Sequence, residues 1–167
     1  MAATSSGSAK LTLPTDEQIL ITREFDAPRH LVFEAFTTPE LVKRWWHAKR
    51  GEMTVAEIDL RPGGRWRYVM TTDDGFEVGF HGEYLEVVPN ERIVSREVYE
   101  GLPEGVSEEM AATINTATLI EDDGRTTLTI LIQATSRETR DAIIASGMES
   151  GLQDALDLLE DAARSLR

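Results

Sequence analysis

The chain has 167 residues, enough for one domain with a sizeable core, and its 41% apolar and 28% charged content is that of a globular protein. Its 30 Asp and Glu outweigh 17 Lys and Arg, a formal net charge of -13 that withholds the basic footprint nucleic acid or an anionic membrane surface requires. Cysteine is absent, which excludes disulfides, thiol nucleophiles and Cys-based zinc or iron–sulfur sites.

Residues 1–14, rich in Ala, Ser, Thr and Gly, read as a flexible tail, and 15–167 as a single domain. The segment from Met1 to Gln18 has no apolar h-region, and no stretch approaches the roughly 18 consecutive apolar residues of a membrane span. A cytoplasmic location is the expectation.

The run Gln18–Phe25 predicts a strand. Asp26-Ala27-Pro28 then opens a helix, with Asp26 as capping carboxylate, Pro28 in the first turn and Val32, Phe33 and Phe36 as its buried stripe. Thr38-Pro39 starts a second short helix with Leu41, Trp45 and Trp46 on its apolar side. The period then changes to two. Strands are predicted over Met53–Leu60, Arg65–Thr72, Phe76–Val88, Arg92–Tyr99, Thr113–Glu121 and Thr126–Ala134, with Asp73-Asp74-Gly75 and Asp122-Asp123-Gly124 as hairpin turns. Residues 101–112 form the longest loop, equally readable as a lid or as disorder. From 137 to 166 a continuous apolar stripe, Ile144, Met148, Leu152, Leu156, Leu159, Ala163 and Leu166, predicts one long helix. Thr135 and Glu138 have capping-box spacing before it, and Gly147 and Gly151 inside it suggest close approach of its backbone to something.

An α+β fold follows, in which a curved antiparallel sheet of six to seven strands wraps around the long C-terminal helix, with two short helices after the first strand. The residues that spell out this order also resemble a known family. Ile21–Pro28, Val32–Thr37, Pro39-Glu40-Leu41 and Trp45-Trp46 are similar to the opening of the SRPBCC-superfamily branch named for the activator of the heat-shock-chaperone ATPase. Glu57–Gly64, Gly82–Ile93 and the tail Gly147-Met148, Gly151-Leu152, Leu159-Glu160 resemble its later blocks. The resemblance implies the helix-grip fold, shared with START-type lipid carriers and pollen-allergen-like proteins. The chain departs from the family at Met148, where an aromatic is usual.

Trp66, Tyr68 and Met70 alternate along one strand, and Phe76, Val78, Phe80, Gly82 and Tyr84 along the next, so each set shares a face. Facing the helix, they would line a ligand cavity with Trp46 at its rim and Met148 and Leu152 closing it; a filled core has the same pattern, and the family resemblance favours the cavity. His81 and Glu83 project together from the opposite face as candidate acid–base residues, a pair that is more often structural. His30, His47 and His81 have no ligand spacing, so neither metal nor cofactor is expected. Three functions stay open. The first is non-enzymatic binding of a small hydrophobic molecule. The second is a cyclase- or hydrolase-like enzyme using a polar cavity residue, and the third, which the family resemblance implies, a chaperone-associated stress-response module. A homodimer is the other partner the resemblance allows.

Overall fold

The structure is a computed structural model and describes residues 9–167. In chain order the elements are β1 (Lys10–Thr12), β2 (Gln18–Phe25), α1 (Arg29–Thr37), α2 (Pro39–Trp45), β3 (Gly51–Ile58), β4 (Arg65–Thr72) and β5 (Glu77–Val88), followed by β6 (Arg92–Tyr99), α3 (Glu108–Ala111), β7 (Thr113–Asp122), β8 (Arg125–Gln133), α4 (Arg137–Ala145) and α5 (Met148–Arg164). Strands β3 to β8 form a meander, with short turns except for the α3-bearing connection between β6 and β7, and β2 closes it by pairing with β8, giving the order β1-β2-β8-β7-β6-β5-β4-β3 with every pair antiparallel. The sheet therefore has eight strands, one more than expected, and it carries the C-terminal helix on one face in the helix-grip arrangement.

The extra strand lies in the segment read as a tail. Residues 1–8 fall outside the described residues, but Lys10, Leu11 and Thr12 pair with Thr22, Ile21 and Leu20. Ala9 is buried and exchanges two hydrogen bonds with the Gln153 side chain on α5, at 2.9 and 2.8 Å. Three residues of backbone pairing needed no apolar run, so alternation gave no sign of it.

Period-two patterning decides which face of β2 turns inward: Ile19, Ile21, Arg23 and Phe25 are buried while their neighbours are not. Arg23 is the one charged member of that face, 1% exposed. Its guanidinium reaches α5, with Nη1 at 2.7 Å from Asp157 and Nη2 at 3.1 Å from Glu160, and it lies 5.1 Å from the Phe25 ring centroid. The second oxygen of Glu160 accepts the backbone N–H of Asp26 at 2.7 Å. One buried ionic group thus ties strand, turn and helix together. Around it α5 buries Ala155, Leu156, Leu159, Ala162 and Ala163.

Helix ends differ from expectation in three places. Asp26 does not cap α1; Pro28 occupies the N-cap itself, no side chain caps it, and the Asp26 carboxylate instead faces Arg125, Arg164 and Arg167. Ser136, not Thr135, caps α4, accepting from the Thr139 N–H at 3.1 Å. The long helix is broken at Gly147, which takes φ 82 and separates α4 from α5. A Cβ there would meet nothing within 4 Å, and one at Gly151 only Arg50, at 4.0 Å. Neither glycine marks a close approach. Gly147 is there because left-handed backbone suits it. Among the described residues no helix is long and apolar enough to cross a membrane.

Arg23→Ala takes the guanidinium from a carboxylate that stays buried, and should lower the unfolding free energy by about 3–5 kcal/mol in urea denaturation. Adding Glu160→Gln should recover part of that loss, and a double variant no better than the single one would show the ion pair to be incidental.

Candidate functional site

Residues opposed across antiparallel strands share a face, so the register maps the inner surface. Trp66 pairs with Gly82, Gly82 with Glu97, and Glu97 with Thr113, one row across four strands. The row on one side holds Tyr68, Phe80 and Tyr99. The row on the other holds Tyr84, Ser95, Asn115 and Ile132.

Aromatic rings dominate this surface. Trp66 tilts onto Tyr68 at 4.9 Å between centroids, Trp46 meets Tyr68 edge-on at 5.6 Å and Phe80 at 5.7 Å, and Phe80 meets Tyr99 at 5.1 Å. Exposure rises along the chain of rings, from buried Trp66 and Tyr84 through half-buried Tyr68, Trp46 and Phe80 to Tyr99, 40% exposed. The two tryptophans divide: Trp45 is a core plug, stacked on Phe36 with its Nε1 donating to Ala35 O at 2.9 Å, and Trp46 turns to the aromatic row. Met148 and Leu152 are partly buried on α5 against the core, and Met70 is buried opposite Met53 and Val78. Phe76 is not part of this surface; it sits in the β4–β5 turn and is 70% exposed.

The opposite end of the inner face is more closely packed. Phe33, Phe36, Ile93, Ala117, Leu119 and Leu128 leave a space of only about 10 Å³, on the order of one water. A groove of about 510 Å³ lies at that end too, against Arg29, Glu91, Arg92 and 118–121, and shares none of the expected cavity residues.

Among the aromatics lies a polar strip that sequence reasoning missed. Ser95, Glu97 and Asn115 are partly buried and Thr113 is buried. Among the described residues three buried side-chain polar atoms have no hydrogen-bond partner, Trp66 Nε1, Thr113 Oγ1 and Asn115 Oδ1. Gly82 makes the row possible: a Cβ there would sit 2.9 Å from Trp66 Nε1 and 1.7 Å from Arg96 O, so the indole leans over bare backbone toward Glu97. Burial raises the Glu97 carboxyl above the ordinary carboxylate range, and the Asn115 side chain pulls against this. Burial also holds the Tyr68 phenol well above its usual value and pushes Tyr84 up to about 12, so both phenols are neutral donors near neutrality. The alternation Ile93, Ser95, Glu97, Tyr99 was visible in the sequence; a carboxylate on the inner face was not, because charged residues are so seldom buried.

His81 lies on the outer face, as expected, but its partner is Glu100 rather than Glu83. Its Nδ1 is 2.8 Å from Glu100 Oε2, and Arg67 grips the same carboxylate through Nε and Nη2, both at 2.9 Å. Chiefly Arg67, with help from His81, holds the Glu100 carboxyl below its ordinary value against the opposing effect of burial. His81 Nε2 also stands 4.0 Å from Glu108 on α3. The segment read as lid or disorder is thereby fastened: Ser107 caps α3, and Met110 O accepts hydrogen bonds from Thr135 and Thr139. Neither His81 nor Glu83 reaches the aromatic row.

An antiparallel sheet gripping one long C-terminal helix, with two short helices after its second strand and an aromatic inner face, defines the helix-grip class. Residues 26–164 match the model of the Activator of Hsp90 ATPase homolog 1-like protein family, and the chain belongs to that family. Among solved structures it is similar to a Rhodobacter sphaeroides protein at 24% identity and TM-score 0.85, covering 95% of this chain and 99% of that one. A Chromobacterium violaceum protein is 27% identical at TM-score 0.76, over 89% and 98% of the two chains. An Aeromonas hydrophila protein described as AHSA1-like is 20% identical at TM-score 0.66, over 88% and 93%. These likenesses establish the fold. No curated protein matches the chain.

The raised Glu97 value fixes the sign of a pH effect. The folded state holds the Glu97 proton more tightly than the unfolded chain, so this group's contribution is intact below the unfolded carboxyl pKa and falls as pH rises toward the folded one. Glu97→Gln removes that loss. Its stability relative to wild type should therefore increase from about pH 4 upward, measured by thermal melts across pH. A difference that does not change with pH would mean Glu97 is solvated.

Proposed function

We propose that this protein binds a small apolar or aromatic molecule, without chemistry, in the cleft between the inner face of the sheet and α5. The observation that carries this reading is the gradient along the ring chain. Trp46, Tyr68, Phe80 and Tyr99 keep accessible surface on a face whose other end is filled. A core built only for stability has no reason to leave large rings half-covered beside a helix. The helix-grip fold of the family is consistent with a ligand-binding domain.

A second reading, a cyclase- or hydrolase-like enzyme, is favoured by one feature, the Glu97 carboxyl with its raised proton affinity among aromatics. It requires a substrate atom delivered to Glu97, and it predicts that Glu97→Gln abolishes turnover while sparing binding.

The binding reading is tested by titrating the protein with Nile red and following amide and indole N–H shifts by NMR. Shifts should concentrate at Trp46, Trp66 and Tyr68, and Trp46→Ala should weaken binding by about tenfold or more without loss of fold, as expected for removing one aromatic wall. Shifts spread over the outer face, or none at all, would refute the cleft.

A further inference from the structure

We infer that the row of Trp66, Glu97 and Thr113, with Asn115 beside it, recognises an organic ammonium group carried on the apolar body of the ligand. This rests on the reading of the cleft as a ligand site.

The argument begins with what the row lacks. Among the described residues Glu97 meets no Lys, Arg or His; the influences on it are burial and Asn115. A carboxylate placed among rings with no counter-ion is costly unless something cationic arrives. Thr113 Oγ1 and Asn115 Oδ1 can both accept hydrogen bonds and neither has a donor. An ammonium has three N–H donors and no acceptor, which fits a carboxylate, an amide oxygen and a hydroxyl. With the carboxylate held ionised by that cation, the unpartnered Trp66 N–H, leaning over Gly82 toward it, gains an acceptor. The faces of Tyr68 and Trp46 add cation–π attraction in a partly desolvated setting.

The same residues argue against an anion. The guanidinium that β2 turns inward, Arg23, is engaged by Asp157 and Glu160, and Arg50, which reaches α5 from the start of β3, is engaged by Asp154 and Ser150, so among the described residues neither is free to offset Glu97 for a carboxylate ligand. The net charge of -13 adds a field that draws cations in. A neutral alcohol can satisfy part of the row, donating to Glu97 and accepting from Trp66, but it uses fewer of the acceptors and none of the charge.

The probes are 2-phenylethylamine, 2-phenylethanol and 3-phenylpropanoate, alike in body and different in head, measured by calorimetry and NMR on wild type and Glu97→Gln. The amine should bind at least about tenfold more tightly than the alcohol, as charge-assisted hydrogen bonds and cation–π contact together predict. The propanoate should be weakest, and Glu97→Gln should erase the amine's advantage over the alcohol. Equal binding of amine and alcohol overturns the inference but leaves the apolar cleft standing. So does an amine preference that survives Glu97→Gln, because it then comes from overall charge. If none of the three binds and Nile red also fails, both readings fall together.

Discussion

An eight-stranded sheet is roughly 34 Å wide at about 4.8 Å per strand spacing, and one α-helix with its side chains covers only about 10–12 Å of it. Everything else about the inner face follows from that mismatch. The C-terminal half of helix α5 is fixed over β2 by the buried Arg23 with Asp157 and Glu160, and its N-terminal half is held at the start of β3 by Arg50, whose Nη1 lies 2.9 Å from Asp154. The two short helices close the neighbouring stretch with Phe33, Phe36 and Trp45. What no helix covers fully is the β4–β6 side, and there the sequence supplies large rings that lean on one another.

Rings alone would make that side a dry surface. The row through Trp66, Gly82, Glu97 and Thr113 makes it amphipathic instead, with donors and acceptors set in an aromatic frame. Such a surface discriminates by chemistry as well as by shape, because a buried polar group left unpaired counts heavily against any occupant that cannot pair it. The outer face, by contrast, uses its charges on itself. Glu100 is held by Arg67 and His81, which anchors the end of β6 where the segment leading to α3 begins.

Much of this was legible in the residues. Period-two runs located β2 to β8 to within two residues or so, and the Asp-Gly turns placed their hairpins, because local sterics and half-burial set both. The same alternation puts Trp66 with Tyr68, and Phe80 with Tyr84, on shared faces. What escaped did so for physical reasons too. β1 is three residues of pairing with little apolar content. Gly147 interrupts a helix whose apolar spacing continues across the break, so periodicity could not see it. The Glu100 grip on His81 joins positions distant in the chain, and Glu97 breaks the rule that charges face water.

The strand order carries a consequence for how the molecule is made. β2 is produced early, yet its partner β8 comes near the end, so Gln18 meets Gln133 across 115 positions. Contacts that distant carry a large loop-closure entropy and slow the search for the native state. While a ribosome is still extending the chain, the β3–β7 meander holds its rings without the helix that grips them, and β2 waits with an unpaired edge. The acidic surface that keeps partners of like charge apart is, over that interval, also what keeps nascent copies from one another.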